Sequence, residues 1–161
     1  CPDETHPGTP TLHIDGPMIG RAPFQAVDYR PSAELPDNDY PLVLSTGRTL
    51  YHYNSATQTR RDAGPVAKQR NNFIEMHRSD ARKLELKHGE NVRVMSRRGE
   101  VEAEVWVSPR MRPGCIWMPM HFSESRANLL TNDAGDQVTG TGDYKVCAVR
   151  VEKMSDIKTV G

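Results

Sequence analysis

Apolar and polar positions alternate most regularly between Asn91 and Val107. Val92 and Val94 recur at every second place, a polar run through Arg98 and Gly99 interrupts, and Val101, Ala103, Val105 and Val107 resume the rhythm. A period of two puts alternate side chains on one face of a strand, so this stretch predicts a β-hairpin with one buried face. Shorter apolar runs at 42–45 (LVLS), 73–76 (FIEM), 115–118 (CIWM) and 144–152 (YKVCAVRVE) predict further strands, and a weaker strand-like patch spans Pro23–Tyr29. The one helical signal is Ser79 as a cap before DARKLEL, whose Ala81, Leu84 and Leu86 face inward. Residues 49–72 are polar, lack periodicity and contain the breaker pair Gly64–Pro65, which predicts a long loop. A second polar, glycine-bearing segment covers 121–143.

Many short strands, one small helix and two long excursions argue for a mainly β protein with small helices, a compact barrel rather than a doubly wound sheet. Residues 1–41, rich in proline, glycine and acidic side chains, read as an extended connecting arm. The barrel is expected over 42–154, with 155–161 as a tail. No internal repeat is visible in the sequence.

Composition narrows the partners. The 161 residues carry 21 basic and 21 acidic side chains, so no excess charge favours nucleic acid. No apolar run approaches the ~20 residues needed to cross a bilayer, and the opening residues lack a secretory pattern. The start on Cys1 fits a piece cut from a longer chain. Three scattered cysteines without a CxxC pair support neither a disulfide framework nor a zinc or iron–sulfur site, and point to reduced, cytoplasmic thiols. Cys115 and Cys147 lie in apolar runs and are expected to be buried small hydrophobes. Trp106 and Trp117 are expected in the core, with Met111, Met118 and Met120 as filler, and His77, ahead of the helix cap, as structural.

Several segments in order, TGRTLYHYNS at 46–55, IEMHRSDARKLELKHGENVRV, SRRGEVEAEVWVSPRMRPG, MPMHFSESRANLLTN and YKVCAVRVE, together resemble the C-terminal domain of the molybdopterin oxidoreductases. The last two are most similar to formate dehydrogenase catalytic subunits. The resemblance covers nearly all of residues 40–152. It implies a double-psi β-barrel that clamps a bis-molybdopterin guanine dinucleotide cofactor. It further implies that molybdenum or tungsten is ligated by upstream domains and that an iron–sulfur cluster lies elsewhere in the parent. The implied partners are the remaining domains of that subunit and its electron-transfer subunits, with no nucleic acid and no membrane segment. The implied reaction is two-electron oxidation of formate to carbon dioxide, with the isolated domain inactive. Another member of the superfamily, such as an assimilatory nitrate reductase, and a stand-alone barrel acting as a binding module are the alternatives.

A pterin dinucleotide presents a pyrophosphate, a ribose, a guanine and a ring rich in donors and acceptors, so it needs close backbone approach and a few directed polar groups. On that footing Gly47 lets backbone approach phosphate or merely turns the chain, Thr46 and Ser55 offer hydroxyls, and Arg48 offers a charged fork. Leu50, Tyr51 and His52 complete the loop, and His52 either bonds the pterin or is an ordinary loop histidine. His121 marks the change from apolar to polar after CIWMPM. Asn128 presents an amide to guanine or ribose, or caps a turn, and Tyr144 and Lys145 place a hydroxyl and a cation at the start of the last strand. The resemblance implies that all eleven contact the cofactor, with no catalytic residue and no metal ligand in this chain.

Overall fold

The computed structural model describes residues 4–5, 7–10, 16 and 20–154. By backbone contact, residues 1–31 and 32–161 form two units, and everything that follows on the barrel concerns the second. Six strands close a barrel: β1 Leu42–Gly47, β2 Phe73–Met76, β3 Asn91–Met95, β4 Glu100–Val107, β5 Cys115–Pro119 and β6 Cys147–Lys153, in the circular order β1-β5-β2-β4-β3-β6. Pairings β1 with β5 and β2 with β4 are parallel, and the others are antiparallel. Exchanging the first three strands for the last three maps every pairing onto one of the same sense, so the topology has an internal two-fold that the sequence does not display. This is the double-psi β-barrel.

The directions have a consequence for function. β1, β3 and β5 run one way and β2, β4 and β6 the other. The connections 48–72, 96–99 and 120–146 therefore leave one end of the barrel, and 77–90 and 108–114 leave the opposite end.

Alternation drives the closure. Inward-facing Leu44, Ile74, Val92, Val94, Val105, Ile116, Met118 and Val149 are fully buried, and Met76 joins them. The hairpin forms as expected, closed by the Ser96 N–H donating to the Gly99 carbonyl at 2.9 Å.

Several details depart from the sequence reading. Pro23–Tyr29 forms no strand, and Phe24, Val27 and Tyr29 are exposed. No neighbouring strand supplies a hydrogen-bond ladder there. The expected loop 49–72 carries a 3₁₀ turn at Thr59–Arg61 and a helix, α1, at Ala63–Lys68. Pro65 sits in its first turn, where a missing N–H costs nothing, and the Asp62 carboxylate caps it by accepting from the Gly64 N–H at 2.8 Å. α2 spans Arg78–Lys83 rather than 80–86, and its cap is His77, whose Nδ1 accepts from the Ser79 N–H at 3.2 Å. Glu85 at φ 54° stops it early. Trp106 is not in the core: it lies on the outer surface, 37% exposed, stacked on Phe73 at 3.8 Å between ring centroids. It follows Val105 on β4 and so takes the outward position. Trp117 is half-buried on the outer surface, and Cys115 is half-buried, whereas Cys147 is fully buried.

Candidate functional site: the loop end of the barrel

All eleven residues expected from the sequence fall on β1 or in the connections 48–72 and 120–146, which share one end of the barrel. The strand ends are locked there first. The Thr46 hydroxyl donates to the Tyr144 carbonyl at 2.9 Å, and the Lys145 ammonium donates back to the Thr46 carbonyl at 2.6 Å. The Met120 N–H donates to the Gly47 carbonyl at 3.1 Å. These bonds bring Thr46, Gly47, Arg48, Tyr144 and Lys145 together although nearly a hundred residues separate the two segments.

Side chains at this end divide into two sets. Arg48, Leu50, Tyr51, Ser55, Tyr144 and Lys145 are exposed. Among the described residues Arg48 reaches only the Asn54 amide oxygen, at 3.5 Å, and the Lys145 ammonium lies 5.4 Å from the Tyr144 ring centre. Thr46, His52 and His121 are buried. Gly47 has a reason of its own: a β-carbon there would lie 2.3 Å from the Trp117 indole nitrogen, so the indole fills the space a side chain would need.

The histidines form the polar interior of the long connection. His121 Nε2 accepts from the Thr49 N–H at 2.9 Å, which leaves the proton on Nδ1, and Nδ1 donates to the Asn54 carbonyl at 2.6 Å. His52 takes the opposite form, donating from Nε2 to the Gln69 carbonyl at 2.9 Å and accepting at Nδ1 from the Thr59 hydroxyl at 2.9 Å. Their rings lie 6.0 Å apart, and Phe122 packs edge-on against both. Burial holds the His121 imidazole below its ordinary pKa. The bond to Asn54 opposes this, and the nearby His52 ring and Arg48 guanidinium reinforce it.

Asn128 stands apart. It is exposed on a 3₁₀ turn, Ala127–Leu129, beside the β3–β4 tip, where Arg98 donates to the Leu130 carbonyl at 2.7 Å. Among the described residues no contact joins it to the Thr46–Lys145 group. A polar cavity of about 340 Å³ also opens under the two connections, lined in part by Arg60, Arg70, Asn72, Phe122 and Ser125, and none of the eleven residues lines it. Sequence reading missed Thr49, Asn54, Thr59 and Gln69, which fix the two histidines. Asn54, at φ 47°, had a local signal as a residue tolerant of the left-handed region, whereas Ala56, at φ 56°, had none.

Among the described residues no His, Cys, Asp and Glu cluster could hold a metal, and no helix is long and apolar enough to cross a membrane. The chain is 42% identical over 156 residues to the F420-dependent formate dehydrogenase subunit alpha of Methanocaldococcus jannaschii, covering 96% of this chain and 23% of that protein. It is 44% identical to the F420-dependent formate dehydrogenase 2 subunit alpha of Methanococcus maripaludis, with the same coverage. A nitrate reductase of Symbiobacterium thermophilum is 40% identical over 88% of this chain and 19% of its own length. The chain thus spans about a quarter of the formate dehydrogenase subunits it matches. Among solved structures, acetylene hydratase from Pelobacter acetylenicus has the same fold, with a TM-score of 0.63 at 18% identity, over 71% of this chain and 18% of that one. The model of the molydopterin dinucleotide binding domain matches residues 42–148, more than half of the chain, so this protein belongs to that family.

Proposed function

We propose that this chain is the cofactor-clamping C-terminal domain of a molybdenum- or tungsten-dependent formate dehydrogenase catalytic subunit, with 1–41 as its connecting arm and 155–161 as a tail. The observation that carries the reading is the exposed group of Arg48, Tyr51, Tyr144 and Lys145 on one locked barrel end, in a chain closely similar to formate dehydrogenase subunits. The donor set fits a pterin dinucleotide. Two cations suit a pyrophosphate, two phenols suit ring heteroatoms, and the buried Thr49 hydroxyl and Gln69 amide nitrogen in the same connection have no partner among the described residues.

The bound cofactor supplies the two-electron redox chemistry at its metal. This chain's residues bind, orient and cover it. Arg48 offers up to five fixed donors to an anionic group, and Lys145, one proton spent on Thr46, retains two more. His52 and His121, with both ring nitrogens engaged, hold the connection rather than the ligand. Metal ligation, the iron–sulfur cluster and the electron-transfer subunits belong to the rest of the parent, in a cytoplasmic enzyme. The nitrate reductase relative favours a second reading, the same clamp in a superfamily member with another substrate.

Amide exchange on the full-length subunit, produced with and without cofactor, tests the assignment. Protection should appear in 46–55 and 140–146 when cofactor is bound. Protection confined to 77–90 and 108–114 would overturn it.

A further inference from the structure

The turn that carries Arg48 and Tyr51 is anchored at its middle by the buried His52 side chain, bonded to Thr59 and Gln69, but its backbone has little local support. Its backbone runs out from β1, reaches Asn54 and Ala56 in the left-handed region at φ 47° and 56°, and among the described residues makes one backbone bond within 49–56, from the Ala56 N–H to the Tyr53 carbonyl. Non-glycine residues in that region persist only where the surroundings over-determine them. Among the described residues, two hydrogen bonds tie the backbone of 49–54 to another element, and both end on one imidazole. Thr49 N–H donates to His121 Nε2 at 2.9 Å, and His121 Nδ1–H donates to the Asn54 carbonyl at 2.6 Å.

Everything around that imidazole fixes it. His121 is 1% exposed, lies two residues after the end of β5, and is confined by the His52 ring and the Phe122 edge. The two bonds demand one protonation state and one tautomer, neutral with the proton on Nδ1, because Nε2 accepts and the carbonyl can only accept. With both nitrogens spent and the ring covered, His121 has no free polar atom for a ligand.

We propose that His121 is a positioning residue: it staples both ends of the Thr49–Asn54 turn to the start of the β5–β6 connection and so sets where Arg48 and Tyr51 stand for the pterin dinucleotide. The proposal rests on the cofactor reading above for its purpose. The staple itself is independent of that reading.

The test uses the full-length subunit, prepared without cofactor, and follows amide exchange in peptide 48–55 with 101–107 in the barrel wall as a control. His121→Phe keeps a ring and removes both bonds, so exchange in 48–55 should rise by about tenfold, the scale of one lost net hydrogen bond, while 101–107 stays protected. His121→Asn keeps a donor near the Nδ1 position but cannot reach Thr49, so the Thr49 amide should be freed in a variant that preserves the fold even if the Phe variant does not. In cofactor-loaded preparations, pterin content should fall in step with the loosened turn. Unchanged exchange in 48–55 alongside lost pterin would make His121 a direct cofactor contact and overturn the staple. Unchanged pterin in Arg48→Ala would sink the cofactor reading and leave the exchange result standing.

Discussion

Replacing Gly47 by alanine isolates a packing contact that any ligand-based account of this glycine overlooks. The added β-carbon would lie 2.3 Å from Trp117 Nε1 and 2.8 Å from Cε2 and Cζ2. Ordinary contact between such atoms is about 3.5 Å or more, so the indole must retreat by roughly 1 Å. It cannot retreat freely, because its ring packs against Phe73 at 5.6 Å between centroids, and Phe73 stacks in turn on Trp106. Overpacking of this kind costs about 1–3 kcal/mol, and in a domain of this size each kcal/mol lowers Tm by about 2–4 °C. Gly47→Ala should therefore melt roughly 2–12 °C below the parent, with shifted tryptophan emission in a Trp106→Phe background. The decisive arm is the cycle with Trp117→Ala. Removing the indole should erase most of the alanine penalty, giving a coupling of about 1–2 kcal/mol. Wild-type stability in Gly47→Ala, or an equal penalty with and without the indole, refutes the reasoning.

Glu34 accepts from Arg97 at 2.8 Å and from Arg98 at 2.7 and 3.0 Å. Burial alone would raise its pKa, but the Arg98 and Arg97 hydrogen bonds outweigh it and hold the carboxyl below the ordinary 4.5. A lowered carboxylate contributes stability above its ordinary pKa that is lost as pH falls through the lowered value. Glu34→Gln should therefore cost about 1–2 kcal/mol at neutral pH in urea titrations, with the gap closing as pH falls through the lowered carboxyl value. The His121 imidazole is held below its ordinary 6.5, so order in the 48–55 turn should be complete above that value and decline as pH drops beneath it. Exchange corrected for intrinsic rates would read this, and His121→Gln should flatten the dependence. Burial also pushes the Cys147 thiol up, so iodoacetamide should label it only in denaturant, and native-state labelling at Cys147 would contradict its place in the core.

The barrel wall was legible because a strict period of two leaves few options. Val92 through Val107 could bury one face only as a hairpin, and the short apolar runs at 42, 73, 115 and 147 became strands. The strand order of the barrel was not legible, since the parallel pairings β1–β5 and β2–β4 join segments far apart in sequence and leave no local pattern. Periodicity does not report what a side chain spends its polar atoms on. The partners of His121 lie 72 and 67 residues away in sequence. The indole that presses on Gly47 belongs to another strand. Pro65 resembled a break because its place in a first turn depends on the Asp62 cap before it.

The central claim, that the loop end of this barrel holds a pterin dinucleotide, is tested most directly by pterin content per purified full-length subunit. Arg48→Ala and Lys145→Ala alter the loop end, and Lys83→Ala, on the exposed surface of α2, alters the opposite end. Bound pterin should fall severalfold in the first two variants and not in the third, with Arg48→Ala and Lys83→Ala equally folded. Full pterin content in Arg48→Ala and Lys145→Ala, or loss only in Lys83→Ala, would contradict it.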